Sequence, residues 1–328
     1  MNETGAYSRR LISAIRHSPL WCSPANVHES SEDSAVEAEG VDLVWYFRTF
    51  REQLGPSAGV ADCAAHYAIQ AGRLFRSPNL AFDEFWYRHE HADVEESVIA
   101  GRYRSGWSHY IEEGAKRLYN PTSWFDERWY LKQHSEVSSG VKSGGLICGF
   151  EHYLLYGIRQ DFSPSIYFNA EWYRRKYLAD TNQECLRASI LHYVLLPRTA
   201  RPSPSPLFNQ DWYSKQYLSS VQGEQKWTPF DHYMILGRRL GYSPSPYFNE
   251  SAYRETYSEV SEMLSTGIYR SGLEHYINEG LVNGFIASNH LDYSGVDYAG
   301  PDYLRLYEQS LSLNLKQIAR SRELIESF

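Results

Sequence analysis

A Trp-Tyr pair followed some 20 residues later by a His-Tyr pair recurs along this chain, and nothing else in the sequence limits its possible folds so tightly. The first pairs are Trp45-Tyr46, Trp86-Tyr87, Trp129-Tyr130, Trp172-Tyr173 and Trp212-Tyr213, with Ala252-Tyr253 as a degenerate sixth. The second pairs are His66-Tyr67, His109-Tyr110, His152-Tyr153, His192-Tyr193, His232-Tyr233 and His275-Tyr276. Successive histidines lie 43, 43, 40, 40 and 43 residues apart. A period of this length marks a repeat architecture, in which each unit buries its apolar face against its neighbours.

Length variation is confined to one place. A proline always lies 12 residues after the histidine (Pro78, Pro121, Pro164, Pro204, Pro244). An apolar aromatic always lies 16 after it (Phe82, Phe125, Phe168, Phe208, Phe248). Between the Trp position and the histidine the distance varies as 21, 23, 23, 20, 20 and 23. Loops tolerate insertion, so the invariant junction is expected to cross packed structure and the variable middle to be looser.

Local signals predict helices on both sides of that middle. Asp42, Asp83, Asp126, Asn169, Asn209 and Asn249 stand three residues before the Trp position, where a short polar side chain accepts from the first-turn N–H groups. The apolar residue before each cap and the tyrosine five residues on occupy the positions of a hydrophobic staple. The His-Tyr helices carry their own caps: Asp62, Ser105, Ser271 and Thr228, the last followed by a proline at N1. Gly114, Gly157, Gly237 and Gly280, five residues after the histidine, suit a C′ position with positive φ. The following Ser-Pro or Asn-Pro stops the helix. Long units add a middle segment, Asp93 to Gly101, Glu136 to Gly144 and Glu259 to Gly267, that reads as a third short helix. Unit four departs from the pattern, with Ala188 at the cap and Pro197 in place of the glycine, and predicts an irregular turn or a groove.

Composition sets outer limits. The 328 residues are 42% hydrophobic and 15% aromatic, and no run of 18 apolar residues exists to cross a membrane. The N-terminus lacks the apolar core of a secretory signal. Cys22, Cys63, Cys148 and Cys185 show no paired spacing and read as reduced thiols. A net charge of −8 argues against a general nucleic-acid binder. Residues 171–240 run against that balance, with ten basic and six acidic side chains. Arg174, Arg175, Lys176, Arg198, Arg201, Arg238 and Arg239 are therefore a candidate surface for an anionic partner, the alternative being a solvated helix face. The acidic stretch His28–Gly40 resembles a disordered linker. Leu304, Tyr307, Leu311, Leu315, Ile318 and Ile325 form one helical stripe, suited to capping the array or docking a partner.

Signatures of catalysis do not emerge. There is no phosphate-binding glycine loop, no nucleophile elbow, no zinc-protease motif and no cysteine pair with metal spacing. The polar residues recur once per unit, whereas catalysis needs a unique constellation at one place. Equivalent histidines of adjacent units should lie roughly 10 Å apart, the width of a packed helix layer, which is too far to share a metal ion. His66, His109, His152, His192, His232 and His275 are therefore expected as a structural ladder, each bonding the neighbouring unit. Trp45, Trp86, Trp129, Trp172 and Trp212 are expected in the core, with sugar stacking as the alternative.

The pattern resembles the roughly 40-residue helical repeats, of the form F-D-x-x-W/Y-Y-L…P-D-V…H-Y-x-x-x-G, found beside glycosyltransferases in bacterial polysaccharide biosynthesis proteins. Phe125 to Gly157 and Phe82 to Gly114 carry it most clearly, Phe248 to Gly280 follows, and it extends over residues 41 to 285. The family's Pro-Asp-Val is reduced to Ala92-Asp93-Val94 and no glycosyltransferase domain is recognisable, so no catalytic residue carries over. The resemblance implies a helical accessory module that works through a partner.

The expected architecture is all-α: a solenoid-like array of about six two-to-three-helix repeats with a C-terminal capping helix. A flexible segment 1–40 precedes units at about 41–81, 82–124, 125–167, 168–207, 208–247 and 248–285. Residues 286–328 form the cap or a docking helix. The expected function is a non-catalytic scaffold or adaptor in bacterial surface-polysaccharide assembly, bound to a glycosyltransferase or similar enzyme, without cofactor or metal. A carbohydrate-binding module and a divergent glycosyltransferase-related enzyme are the alternatives. The expected location is the cytoplasm, where a partner could hold the protein at the inner membrane.

Overall fold

The computed structural model of the protein describes residues 3–22, 39–179, 188–219, 228–280, 283 and 285. Among them the regular structure is helical, apart from two isolated β-bridges. The chain divides into two compact bodies. The first holds the described residues up to 174 together with 178–195, and the second holds 175–177 and those from 196 onward.

In the first body α1 spans Glu3–Arg16. Unit one contributes α2 (Leu43–Leu54) and α3 (Ala61–Gln70). Unit two has α4 (Glu84–Glu90), α5 (Ala92–Ile99) and α6 (Gly106–His109), and unit three has α7 (Glu127–Gln133), α8 (Ser135–Lys142) and α9 (Gly149–His152). Unit four supplies α10 (Ala170–Tyr177) and α11 (Ser189–Leu195). The second body holds α12 (Gln210–Tyr213) and α13 (Pro229–His232) of unit five, then α14 (Glu250–Thr256), α15 (Ser258–Ser265) and α16 (Gly272–His275) of unit six. The third helix foreseen for the long units is present in all three, and Gly101, Gly144 and Gly267 follow it with φ of 73°, 77° and 72°.

The Trp-Tyr helices begin alike because orphan donors of the first turn are met by residues at fixed positions. The N3 amide, that of the Trp position, donates to the Asp or Asn cap at 2.9–3.1 Å in every unit. The N1 amide donates to the side chain of the Ser or Asn preceding the junction proline: Glu84 to Ser77, Glu127 to Asn120, Ala170 to Ser163, Gln210 to Ser203 and Glu250 to Ser243. The Ser-Pro step thus not only stops one helix but also caps the next. Phe82, Phe125, Phe168, Phe208 and Phe248 pack on the staple tyrosines with ring centroids 5.0–5.3 Å apart.

The fixed junction length has a backbone cause. The cap residue's own N–H donates to the carbonyl of the next junction proline: Asp42 to Pro78, Asp83 to Pro121, Asp126 to Pro164 and Asn209 to Pro244, at 3.0–3.2 Å. One inserted residue in the junction would move either the proline carbonyl or the cap out of register.

The histidine-proximal glycines correct an expectation. Gly114, Gly157, Gly237 and Gly280 do not adopt positive φ; they end short π-helical turns, such as Tyr110–Gly114 and Tyr153–Gly157. The helix terminates later, at Leu118 and Asp161 (φ 57° and 53°), where Tyr119 N–H reaches Gly114 O and Phe162 N–H reaches Gly157 O, both at 2.9 Å. That is a Schellman closure. The glycines are required for space, since a Cβ on Gly114, Gly237 or Gly280 would overlap the hydroxyl of Tyr87, Tyr213 or Tyr253.

The N-terminal segment also differs from expectation. Instead of a flexible stretch, α1 buries Leu11, Ile12, Ala14 and Ile15. It is held to units two and three by Ser8 Oγ on Ile111 O (2.8 Å), Arg10 on Glu151 (2.5 Å) and Arg159 on His17 O (2.7 Å). Leu20 is buried and Cys22 N–H donates to Asp42. Residues 23–38 and the expected C-terminal helix at 286–328 lie outside the described residues.

Replacing Gly114 by alanine should destabilise the protein by about 1–3 kcal/mol, the usual cost of overpacking. Denaturant unfolding checks this; an unchanged midpoint would show that the glycine is not needed for the Tyr87 contact.

Candidate functional site

The recurrent polar cluster is the Tyr–His pair, and all six are formed. Tyr Oη to His Nδ1 distances are 2.8 Å for Tyr46–His66 and Tyr87–His109, and 3.0 Å for Tyr130–His152. They are 2.9 Å for Tyr173–His192, Tyr213–His232 and Tyr253–His275. Burial raises the pKa of the Tyr46, Tyr87, Tyr130, Tyr213 and Tyr253 phenols and lowers that of all six imidazoles, which favours a protonated phenol and a neutral ring. The hydroxyl therefore donates to Nδ1 and the ring proton sits on Nε2. The expected bond from each histidine to the neighbouring unit is corrected: through Nδ1 every one bonds the Trp-Tyr helix of its own unit. The staple places the tyrosine, the helix sets the imidazole at the end of its reach, and in units two, three, five and six the missing glycine Cβ admits the hydroxyl.

A second aromatic pair accompanies the bond, four residues after the tyrosine and ten after the histidine. His91 stacks on Tyr119 (4.1 Å), His134 on Phe162 (4.7 Å), Tyr217 on Tyr242 (4.2 Å) and Tyr257 on Phe285 (4.0 Å), all within 17° of parallel. In unit one Arg76 lies over Phe50 at 4.6 Å instead. The geometry recurs while the residue types change, which is why no motif revealed it. Burial pushes His91 down to about 4.

A third element is a buried carboxylate. Glu84, Glu127 and Glu250, each fully buried at N1, accept from two backbone amides at the start of their own unit's His-Tyr helix. Glu84 takes Gly106 and Trp107 at 2.6 and 2.9 Å; Glu250 takes Gly272 and Leu273 at 2.5 and 3.1 Å. Glu127 takes Gly149 and, at 3.0 Å, Phe150. Burial outweighs these donors and pushes Glu84 and Glu127 up to about 7. A Cβ on Gly106, Gly149 or Gly272 would come within 3.2 Å of the carboxylate. The signal was in the sequence: Glu two residues before the Trp position occurs only with Gly three residues before the histidine, in units two, three and six. In unit four Ala170 leaves the place vacant, and Asp161 accepts from the Ser189 amide at 2.7 Å. In unit five Pro229 has no N–H to offer, and Gln210 occupies the acid's position with its Nε2 donating to Arg201 O.

The tryptophans divide. Trp86 and Trp172 are 1% and 6% exposed and cannot stack on a sugar as they stand. Trp45, Trp129 and Trp212 are only half-buried. The tyrosine beside each Trp position is the invariant core residue, at most 1% exposed in all six units.

The proposed basic surface is reduced. Arg238 is 1% exposed with Nε on Met234 O at 2.6 Å, so it is an interior residue and not part of a surface. In the second body Arg198 faces Asp231 (3.6 Å) and Lys176 lies against the Tyr177 ring (5.4 Å), while Arg175 and Arg239 are exposed and Arg201 is half-buried. In the first body Arg174 faces Asp161 (3.1 Å). The expected irregularity of unit four takes the form of a 3-10 turn at Arg198–Ala200. Among the described residues no three His, Cys, Asp or Glu side chains converge as metal ligands, and no helix is long and apolar enough to cross a membrane.

Removing Glu127 (Glu127→Ala) leaves two buried amides without an acceptor and should cost roughly 2–4 kcal/mol. Trp86→Ala should cost about 3–5 kcal/mol, and the half-buried Trp129→Ala clearly less. Thermal and denaturant unfolding read both; equal losses at the two tryptophans would contradict the burial difference.

Comparison of the chain with protein families, with curated proteins and with solved structures finds no match.

Proposed function

We propose that the six units stack side by side as a solenoid-like array and that the protein is a non-catalytic scaffold. Its partner in this reading is a glycosyltransferase or another enzyme of bacterial surface-polysaccharide assembly, met in the cytoplasm or at the inner membrane. The observation that carries the reading is the use made of the recurring polar groups. Caps, serines and asparagines of the junctions, Tyr–His pairs and buried carboxylates are all engaged by backbone or side chains of the array itself. The junction bonds between cap amide and proline carbonyl, found within each body, support this reading. The resemblance to repeats that accompany glycosyltransferases supplies the class of partner.

A carbohydrate-binding module is the second reading, favoured by the partly exposed rings of Trp45, Trp129 and Trp212. Affinity capture of the intact protein from its native cells, with mass spectrometry of what is retained, separates the two. The scaffold reading expects glycosyltransferases or other glycan-assembly proteins. Their absence, together with retention on an oligosaccharide array that Trp129→Ala abolishes, would replace it with glycan binding.

A further inference from the structure

We propose that unit one is an acid-sensitive gate: protonation of His66 opens α2 and α3 while units two and three stay folded. The proposal stands on two positions where unit one differs from units two, three and six. The residue ten after the histidine, an aromatic in Tyr119, Phe162 and Phe285, is Arg76. It lies over Phe50 at 4.6 Å and acts electrostatically on His66. Protonating His66 would add an imidazolium whose charge Arg76 opposes. The second position is N1 of the Trp-Tyr helix, where Glu84, Glu127 and Glu250 are replaced by Leu43, itself fully buried.

The consequence follows from proton linkage. A histidine held below its unfolded value binds fewer protons when folded, so its contribution is intact above pH of about 6.5 and is lost as the pH falls through that value. A buried carboxyl raised to about 7, as at Glu84 and Glu127, does the reverse: it binds more protons when folded and stabilises as pH falls from 7 toward its unfolded value. Units two and three hold both groups, so the two effects offset each other. Unit one holds only the histidine.

Around His66 the described titratable and charged groups are few. Tyr46 on α2 donates to Nδ1 at 2.8 Å, and Arg76 stands on the turn after α3. On α3 itself Asp62 is engaged by the Gly59 amide at 2.8 Å, and Cys63 is a buried thiol. His109, by contrast, is faced by Asp93 and Glu113 as well as Arg117, and His275 by Glu259 and Glu279. Those carboxylates favour an imidazolium that nothing among the described residues favours at His66. Nor can the Tyr46–His66 bond simply reverse. A protonated Nδ1 would donate to Tyr46 Oη, and the phenol proton would then need a new acceptor inside a packed core.

Hydrogen exchange on the intact protein at pH 7.5 and 5.5, corrected for intrinsic rates, tests the gate. Each proton taken up on opening multiplies the opening constant by up to about tenfold per pH unit. Protection across 43–70 is expected to fall by up to about tenfold, and protection across 84–114 by much less. Arg76→Tyr, which installs the aromatic of unit two, should remove most of the loss in unit one. Equal losses in the two units, or an undiminished loss in Arg76→Tyr, would overturn the proposal. So would an NMR titration of the wild-type protein placing His66 at or above 6.5.

Discussion

A buried phenol hydroxyl is stabilised by an acceptor, and in all six units the tyrosine of the Trp-Tyr helix has one in the histidine. The Trp-Tyr helix drives its tyrosine ring into the core by the staple, and only a second helix from the same unit can meet the hydroxyl at the far end. That meeting fixes the distance between the two helices of each unit. In units two, three, five and six it goes with a π-helical turn after the histidine and a glycine beneath the hydroxyl, where a Cβ would collide, while units one and four form the same bond with Ala71 and Pro197 at that position. The caps and junction bonds hold the first helix in the position from which its tyrosine can reach. Remove the acceptor and a buried hydroxyl is left over an empty contact; add a Cβ to Gly114, Gly237 or Gly280 and it meets the tyrosine hydroxyl.

Long and short units solve the same problem with different middles. The His-Tyr helix of a long unit starts on two bare amides, and a carboxylate from the first helix covers them. Unit four, lacking that acid, uses Asp161 from the preceding turn, a residue already held at φ 53°. Unit five starts on a proline and has one amide fewer to satisfy. The substitutions are chemically linked within one chain: changing the acid changes what can stand at the helix start.

What the sequence disclosed and what it hid divide along the range of the interactions. The caps at Asp83 and Asn209, the staple of Phe125 with Tyr130 and the third helices ending at Gly101, Gly144 and Gly267 depend on neighbours a few residues away, and local pattern was enough. The partner of His152 lies 22 residues back, and spacing alone did not choose between its own unit and the next. Gly114 and Gly157 look like helix ends because glycine serves both positive φ and close approach, and only the position of the Tyr87 and Tyr130 hydroxyls separates the two. Arg238 reads as surface charge in a list of basic residues, yet its stem is buried and its Nε is bonded to its own helix. Residues 1–40 read as flexible because the surface that α1 covers with Leu11, Ile12 and Ile15 comes from units two and three, more than a hundred residues on.

The account rests on the Tyr–His bond as the fixed point of each unit, and a double-mutant cycle tests it most directly. Tyr130→Phe, His152→Phe and the double variant, compared by denaturant unfolding, isolate the pairwise energy from the packing of either ring. The account predicts a coupling of about 1 kcal/mol or more between the two positions. Additive losses, with no coupling beyond error, would show that the rings only pack and that the bond does not organise the unit.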